Sequence, residues 1–215
     1  WAANGGVPGD LAGKKVYAGL DLSAVNDLTA LILVTEVGDV HCAFWLPEHG
    51  LAEKAKKDHV PWDLWAKQGH LLTTPGKAIE YEHVAEYLRG VFDHCDVQKL
   101  AFDRYNMKFL RPWLEKAGFS NEELERLVEF GQGTQSMTPA LRELETKLLN
   151  AQLKHGDNPI LKMSAANAKV VGDSGARKFD KKHARGRIDG MVGLAMAVGV
   201  MPIADERKQF QAFIL

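Results

Sequence analysis

Cysteine is scarce in this chain: Cys42 and Cys95 are the only two in 215 residues. They form no CxxC pair and show no metal-ligand spacing, so they fit a reducing compartment in which cysteines act as small buried hydrophobes. The eight histidines contain no HxH or HExxH pattern, which argues against a zinc hydrolase. There is no secretory signal and no apolar run long enough to span a bilayer. The longest uncharged stretch, Gly190 to Ala204, is rich in Gly and Ala and reads as a buried helix. Internal repeats and low-complexity segments are also missing. Net charge is only −1, so the total does not announce a nucleic-acid binder. The chain begins at Trp1 rather than Met, and the expectation is a fragment or a processed product.

What is present is an ordinary apolar fraction, 46%, enough for one α/β domain with a sizeable core. Residues 1–13, with four glycines and a proline, read as a linker or frayed lead-in. Strand-like runs follow at 16–23, 28–37 and 40–46, the last two joined by a hairpin-type turn at Val37-Gly38-Asp39-Val40. In the first run Val16, Ala18, Leu20 and Leu22 share one face, while Tyr17, Gly19, Asp21 and Ser23 share the other. A mixed segment, 51–70, reads as a helical excursion broken at Pro61. Tyr81, Val84, Leu88, Val91 and Phe92 fall at helical spacing, ahead of a strand at 97–103 and a short helix at about 107–116. Ser120 and Glu123 fit a capping box, and Leu127–Phe130 reads as another strand. Thr138-Pro139 reads as a helix start with a stripe of Leu141, Leu144 and Leu148. Residues 155–187 look irregular, and an apolar small-residue helix is predicted over 188–200. The order implies a mixed sheet flanked by helices.

Three aspartates stand out. Asp21 closes the first strand, Asp103 closes Leu100-Ala101-Phe102, and Asp189 opens the last helix. An ionised carboxylate at the end of a buried strand needs a partner. Brought together, the three would make a hard oxygen site suited to Mg²⁺ or Mn²⁺, and two such ions can drive phosphodiester cleavage. Asp21 is then the bridging candidate, Asp103 completes one metal and Asp189 the other. Asp27 is an auxiliary ligand or supporting group. Each also has a structural reading: Asp189 as a complement to its helix dipole, Asp103 and Asp27 as turn residues. Between Lys162 and Arg187 there are eight Lys/Arg against two acids, a local basic tract that the total conceals. Lys178, Lys181, Lys182, Arg185 and Arg187 lie just before Asp189 and are the candidate DNA contacts. His183, in the same tract, reads as solvated rather than as a proton carrier. Lys/Arg runs are most often a solvated face, and position is what favours phosphate contact here.

Taken together, these residues make the sequence similar to the nuclease domain of a tailed-bacteriophage terminase large subunit. The matching pieces are Gly19-Leu20-Asp21-Leu22-Ser23 with Asp27, Phe102-Asp103-Arg104, Ser136-Met137-Thr138-Pro139-Ala140, Leu144-Glu145 and His155-Gly156-Asp157-Asn158-Pro159. Asn167, Lys178 and Arg187-Ile188-Asp189-Gly190 complete them, over roughly residues 15–200. The resemblance implies an RNase H-like fold: a five-stranded mixed sheet, its first three strands antiparallel, with helices on both faces. It also implies a two-metal endonuclease cutting concatemeric double-stranded DNA, with Asp21, Asp103 and Asp189 as ligands and Asp27 as an auxiliary carboxylate; Ser23, on the same strand face as Asp21, is read as a supporting residue. The expected division is a linker at 1–14, the nuclease domain at 15–203 and a tail at 204–215. Implied partners are an N-terminal packaging ATPase, the terminase small subunit and the portal, in the host cytoplasm with no membrane or secretion. No GxxxxGK[ST] occurs, and Gly9-Asp10-Leu11-Ala12-Gly13-Lys14-Lys15 has the wrong spacing, so the motor half is expected to be absent. Weak DNA affinity in isolation is also expected. Gly-Leu-Asp-Leu-Ser resembles the first phosphate loop of actin-like ATPases and sugar kinases as well, but their second loop and adenosine site are lacking. The nearer rivals are a resolvase- or transposase-type nuclease of the same fold, and a silent DNA- or portal-docking module.

Overall fold

Alternation along the first strand sets the architecture. Val16, Ala18, Leu20 and Leu22 lie in one buried apolar cluster with the helix at 81–94, while Tyr17 belongs to the other cluster, built on the last helix. A strand buried on both faces needs a helical layer on each. The structure, a computed structural model, describes residues 1–202 except Ala24, Asn26, Ser174 and Lys182. Of the expected features, Lys182 and the tail at 204–215 therefore lie outside the described residues.

The sheet has six strands in the order β4-β3-β2-β1-β5-β6. They are β1 (Lys15–Asp21), β2 (Thr29–Thr35), β3 (Val40–Pro47), β4 (Leu72–Thr74), β5 (Asp96–Phe102) and β6 (Leu127–Glu129). β1, β2 and β3 form the antiparallel meander that was expected. β5 runs parallel to β1, and β6 parallel to β5. One strand more than the expected five is present, because β4 adds to β3 in parallel through only three residue pairs. Three residues carry no readable period.

Helices α1 (Leu51–Asp58) and α2 (Trp62–Lys67) make the excursion broken at Pro61. On one face lie α3 (Tyr81–His94), α4 (Arg104–Lys116) and α5 (Asn121–Glu125); the capping box Ser120/Glu123 is present at α5. On the other face lie α6 (Thr134–Leu149), α7 (Pro159–Asn167) and α8 (Asp189–Gly199). Helix α6 starts at Thr134, not at Thr138, and Pro139 lies inside it. The Thr138 hydroxyl donates to the Thr134 carbonyl at 2.6 Å, and a proline this near the N-terminus interrupts few backbone bonds. The stretch 155–187 is also more ordered than expected. Asn158 caps α7 by accepting from the Ile160 and Leu161 amides, and β7 (Val170–Val171) pairs with β8 (Lys178–Phe179).

Two close approaches matter for the site. Gly19 leaves room for α8: a Cβ there would lie 2.0 Å from the Gly193 carbonyl oxygen. The first nine residues, expected as a linker, are instead laid against the fold. Asn4 donates to the Leu148 carbonyl and accepts from the Leu153 amide, Trp1 stacks on His155, and the Gly9 amide donates to Asp39. Asp39 is buried at the β2–β3 turn and also faces Lys14 and Lys154. A buried carboxylate requires such partners, and they fasten the segment.

Candidate functional site

Parallel pairing of β1 with β5 sets Leu20 opposite Phe102, so Asp21 and Asp103 leave the sheet side by side at its carboxyl edge. Open α/β sheets bind ligands at that edge. Asp103 is the N-cap of α4 and accepts from the Tyr105 amide at 3.1 Å. Asp189 is the first residue of α8, which the Gly19–Gly193 contact seats directly over β1. Asp21 and Asp189 are both buried.

Asp21 is the hub. Its Oδ2 accepts from Lys181 Nζ at 3.0 Å and its Oδ1 from Gln132 Nε2 at 3.0 Å. Burial pushes its pKa up, Lys181 and Gln132 pull it down, and the Asp103 charge raises it again. Burial likewise raises the pKa of Asp189, the Asp21 charge adds to the rise, and Lys181 opposes it. Asp21 thus feels both of the other aspartates, and Lys181 supplies positive charge to two of the three. Among the described residues, no three Asp, Glu, His or Cys side chains converge closely enough to hold one metal ion. The donor chemistry nevertheless fits a hard cation, since the buried oxygens are carboxylate oxygens. An ammonium on Asp21 stands where positive charge is wanted.

Three hollows lie beside the two side chains that hold Asp21. One of about 380 Å³ is lined by Asp103, Arg104, Glu129 and Gln132. A second of about 310 Å³ is lined by Gln132, Lys178 and Lys181. A third of about 570 Å³ is lined by Lys181, Arg185, Arg187 and Asp189. Gln132 lines the first and second of them, and Lys181 the second and third. Lys178 and Arg185 are exposed, as phosphate contacts would be. Arg187 is differently placed. It contacts Asp27 and Asp58 and lies over the Trp62 ring, so its charge is engaged within the protein. Asp27 is held by that arginine. Ser23 stitches the β1–β2 turn, its hydroxyl donating to the Asp27 carbonyl at 2.6 Å while its carbonyl accepts from Tyr81 Oη at 2.7 Å.

Sequence reasoning missed Gln132, Glu129 and Asn106. Glu129 ends β6, the next parallel strand, and Gln132 follows three residues later, so reading the exit of the third strand as well as the first two would have found them. Asn106 donates to the Leu22 carbonyl at 2.8 Å and ties the start of α4 to the exit of β1.

Known proteins resemble this chain closely. The family described as terminase large subunit, endonuclease domain, matches residues 6–205. The terminase large subunit of Enterobacteria phage HK97 is 43% identical over 208 residues, which is 94% of this chain and 40% of that protein. The crystal structure of the HK97 large terminase aligns with a TM-score of 0.85 at 43% identity, over 94% of this chain and 42% of that one. The large terminase nuclease of thermophilic phage G20c with bound magnesium aligns at a TM-score of 0.60 and 10% identity, over 93% of this chain and 94% of that one. This last likeness concerns the fold alone. The chain spans about two fifths of the HK97 protein it matches.

Proposed function

Because the chain belongs to the terminase large subunit endonuclease-domain family, we propose that it is a divalent-metal-dependent endodeoxyribonuclease that cuts concatemeric double-stranded viral DNA during genome packaging. The observation that carries this reading is the position of Asp21, buried at the carboxyl edge of the sheet beside the strand that leads into Asp103 and under the helix that Asp189 opens. A central carboxylate with one on either side is the donor arrangement that a pair of hard cations would call for. Two Mg²⁺ or Mn²⁺ ions, when bound, would supply Lewis acidity and an activated water for in-line hydrolysis. Asp21, Asp103 and Asp189 would be the residues that hold them.

The remaining side chains bind and position. Lys178 and Arg185 neutralise phosphates flanking the cut, a contact that weakens steeply with salt. Lys181 exchanges Asp21 for phosphate as DNA enters. Arg187 braces the turn that carries Asp27, the auxiliary carboxylate, and Gln132 fixes the orientation of Asp21. In the whole protein, the partners are a packaging ATPase domain, the small subunit and the portal, in the host cytoplasm. No helix among the described residues is long and apolar enough to cross a membrane.

The test is relaxation of supercoiled plasmid by the purified chain with Mn²⁺, Mg²⁺ or EDTA, beside Asp21→Asn. Metal-dependent nicking that disappears in Asp21→Asn supports the proposal. Nicking that survives the substitution refutes the site, and DNA binding without cleavage under either metal favours a docking module.

A further inference from the structure

Helix α4 buries Asn106, Met107, Leu110 and Leu114 and leaves two neighbouring stripes on its outer side. Arg104, Lys108 and Arg111, spaced i, i+4 and i+7, form one stripe, and all three are exposed, Arg111 also facing the exposed Glu115 carboxylate at 3.5 Å. Tyr105 and Phe109 form the other, 77% and 52% exposed. Lys108 Nζ sits 4.9 Å from the centre of the Phe109 ring, so the cationic and aromatic stripes are in contact. Isolated exposed hydrophobic residues are ordinary. Two large rings one helical turn apart, bordered by cations, are a patterned surface.

The surface begins at the candidate site. Asp103 caps the same helix, and Arg104 lines the hollow that Asp103 and Gln132 share. Lys178, Lys181 and Arg185 line the other two hollows. A polyanion lying across the carboxylates would therefore meet cations on both sides of Asp21. Thirteen helical residues extend about 20 Å, room for several nucleotides. Phosphates suit the basic stripe. Flat aromatic groups suit Tyr105 and Phe109, and the faces of nucleic-acid bases are free to stack only where they are unpaired.

We propose that the outer face of α4 is a holding surface for unpaired DNA beside the cut, with Arg104, Lys108 and Arg111 on phosphates and Tyr105 and Phe109 stacked on bases. The proposal deepens the nuclease reading and rests on it for the identity of the bound polymer.

The test compares Tyr105→Ser/Phe109→Ser with the parent, both carrying Asp21→Asn and held in EDTA so that nothing is cut. Fluorescence anisotropy measures affinity for a forked duplex and for a blunt duplex of the same sequence, and 2-aminopurine in the unpaired arm reports stacking. Both changed residues are exposed, and a thermal melt checks that the fold is retained. Loss of one stacked ring weakens binding by about tenfold. The expected result is fork affinity lowered at least tenfold, blunt-duplex affinity changed less than about twofold, and the 2-aminopurine quench abolished. Equal losses on both duplexes, or no loss on either, overturn the proposal, as does a parent protein that shows no preference for the fork. The plasmid assay on the unsubstituted chain separates the two readings. Fork selectivity lost in the double variant, together with an absence of metal-dependent nicking, would leave the α4 surface standing and remove the nuclease.

Discussion

Lys181→Met removes the ammonium that sits on Asp21 but keeps most of the side-chain volume. Lys181 Nζ lies 3.0 Å from Asp21 Oδ2, where two unit charges interact by about 5 kcal/mol at an effective dielectric constant of 20. The lysine side chain is 44% exposed, and solvent screening reduces the usable part to ~1–2 kcal/mol. At about 2–4 °C per kcal/mol for a domain of this size, the variant should melt roughly 2–8 °C lower in EDTA at pH 8. The sign of the pH dependence follows from Asp21, whose pKa burial raises. A carboxyl group held above its unfolded value favours the folded state at low pH and loses that advantage as pH rises through the folded pKa. Removing Lys181 raises this pKa further, so the deficit should be greatest at pH 8 and shrink toward pH 4. With metal the order reverses. A cation entering the unsubstituted protein must displace an ammonium, whereas in Lys181→Met it meets no competitor. The apparent affinity for Mn²⁺, read from melts across a metal titration, should tighten about tenfold, which corresponds to about 1.4 kcal/mol. An unchanged melt in EDTA together with an unchanged Mn²⁺ midpoint would refute the view that Lys181 is the counter-charge of this site.

Three further substitutions probe the frame of the domain. Gly19→Ala places a Cβ 2.0 Å from the Gly193 carbonyl and 2.8 Å from the Ala197 nitrogen; both are backbone atoms, so about 3 kcal/mol of destabilisation is expected by chemical denaturation. Gly90→Ala, where a Cβ meets nothing within 4 Å inside α3, should instead stabilise by about 0.5–1 kcal/mol. Glu123→Gln breaks a two-pronged contact with Arg89, at 2.9 and 2.7 Å, which holds the Glu123 pKa down at about 2. A depressed carboxylate stabilises above its unfolded pKa, so the loss, ~1 kcal/mol at this partly solvated pair, should be full at pH 7. It should fade as pH falls from about 4.5 toward 2.

Much of the site was legible because strand periodicity is simple. Reading β1 as alternating placed Gly19 and Asp21 on one face, and that face receives α8. The Ser120/Glu123 capping box was legible because both of its halves lie within four residues. Arg89, the partner that depresses Glu123, lies 34 residues away and left no local trace. Lys181 reads as lying near the aspartates from its place in the chain, but charge alone cannot tell a lysine facing solvent from one reaching a carboxylate 160 residues distant. Gln132 lacked even that hint, since its contact with Asp21 exists only once β6 is aligned beside β5. The Asn158-Pro159 cap of α7 was readable in principle, but the surrounding glycines and lysines gave the segment the look of a loop. Thr138-Pro139 misled in the opposite way, because proline is tolerated within the opening turns as well as at the first position.

The segment from Trp1 to Gly9 has a mechanical consequence. It is bonded to the α6–α7 connection through Asn4 and His155 and to the β2–β3 turn through Asp39. That turn lies at the end of β2 opposite the Ala30 position that pairs with Asp21. A pull on residues 1–9 therefore loads the meander at its far tip and travels along the length of β1 and β2. Ladder hydrogen bonds pulled in that direction share the load in shear instead of opening one after another. Any displacement of this segment would be passed to the meander, and through it to the carboxylate edge.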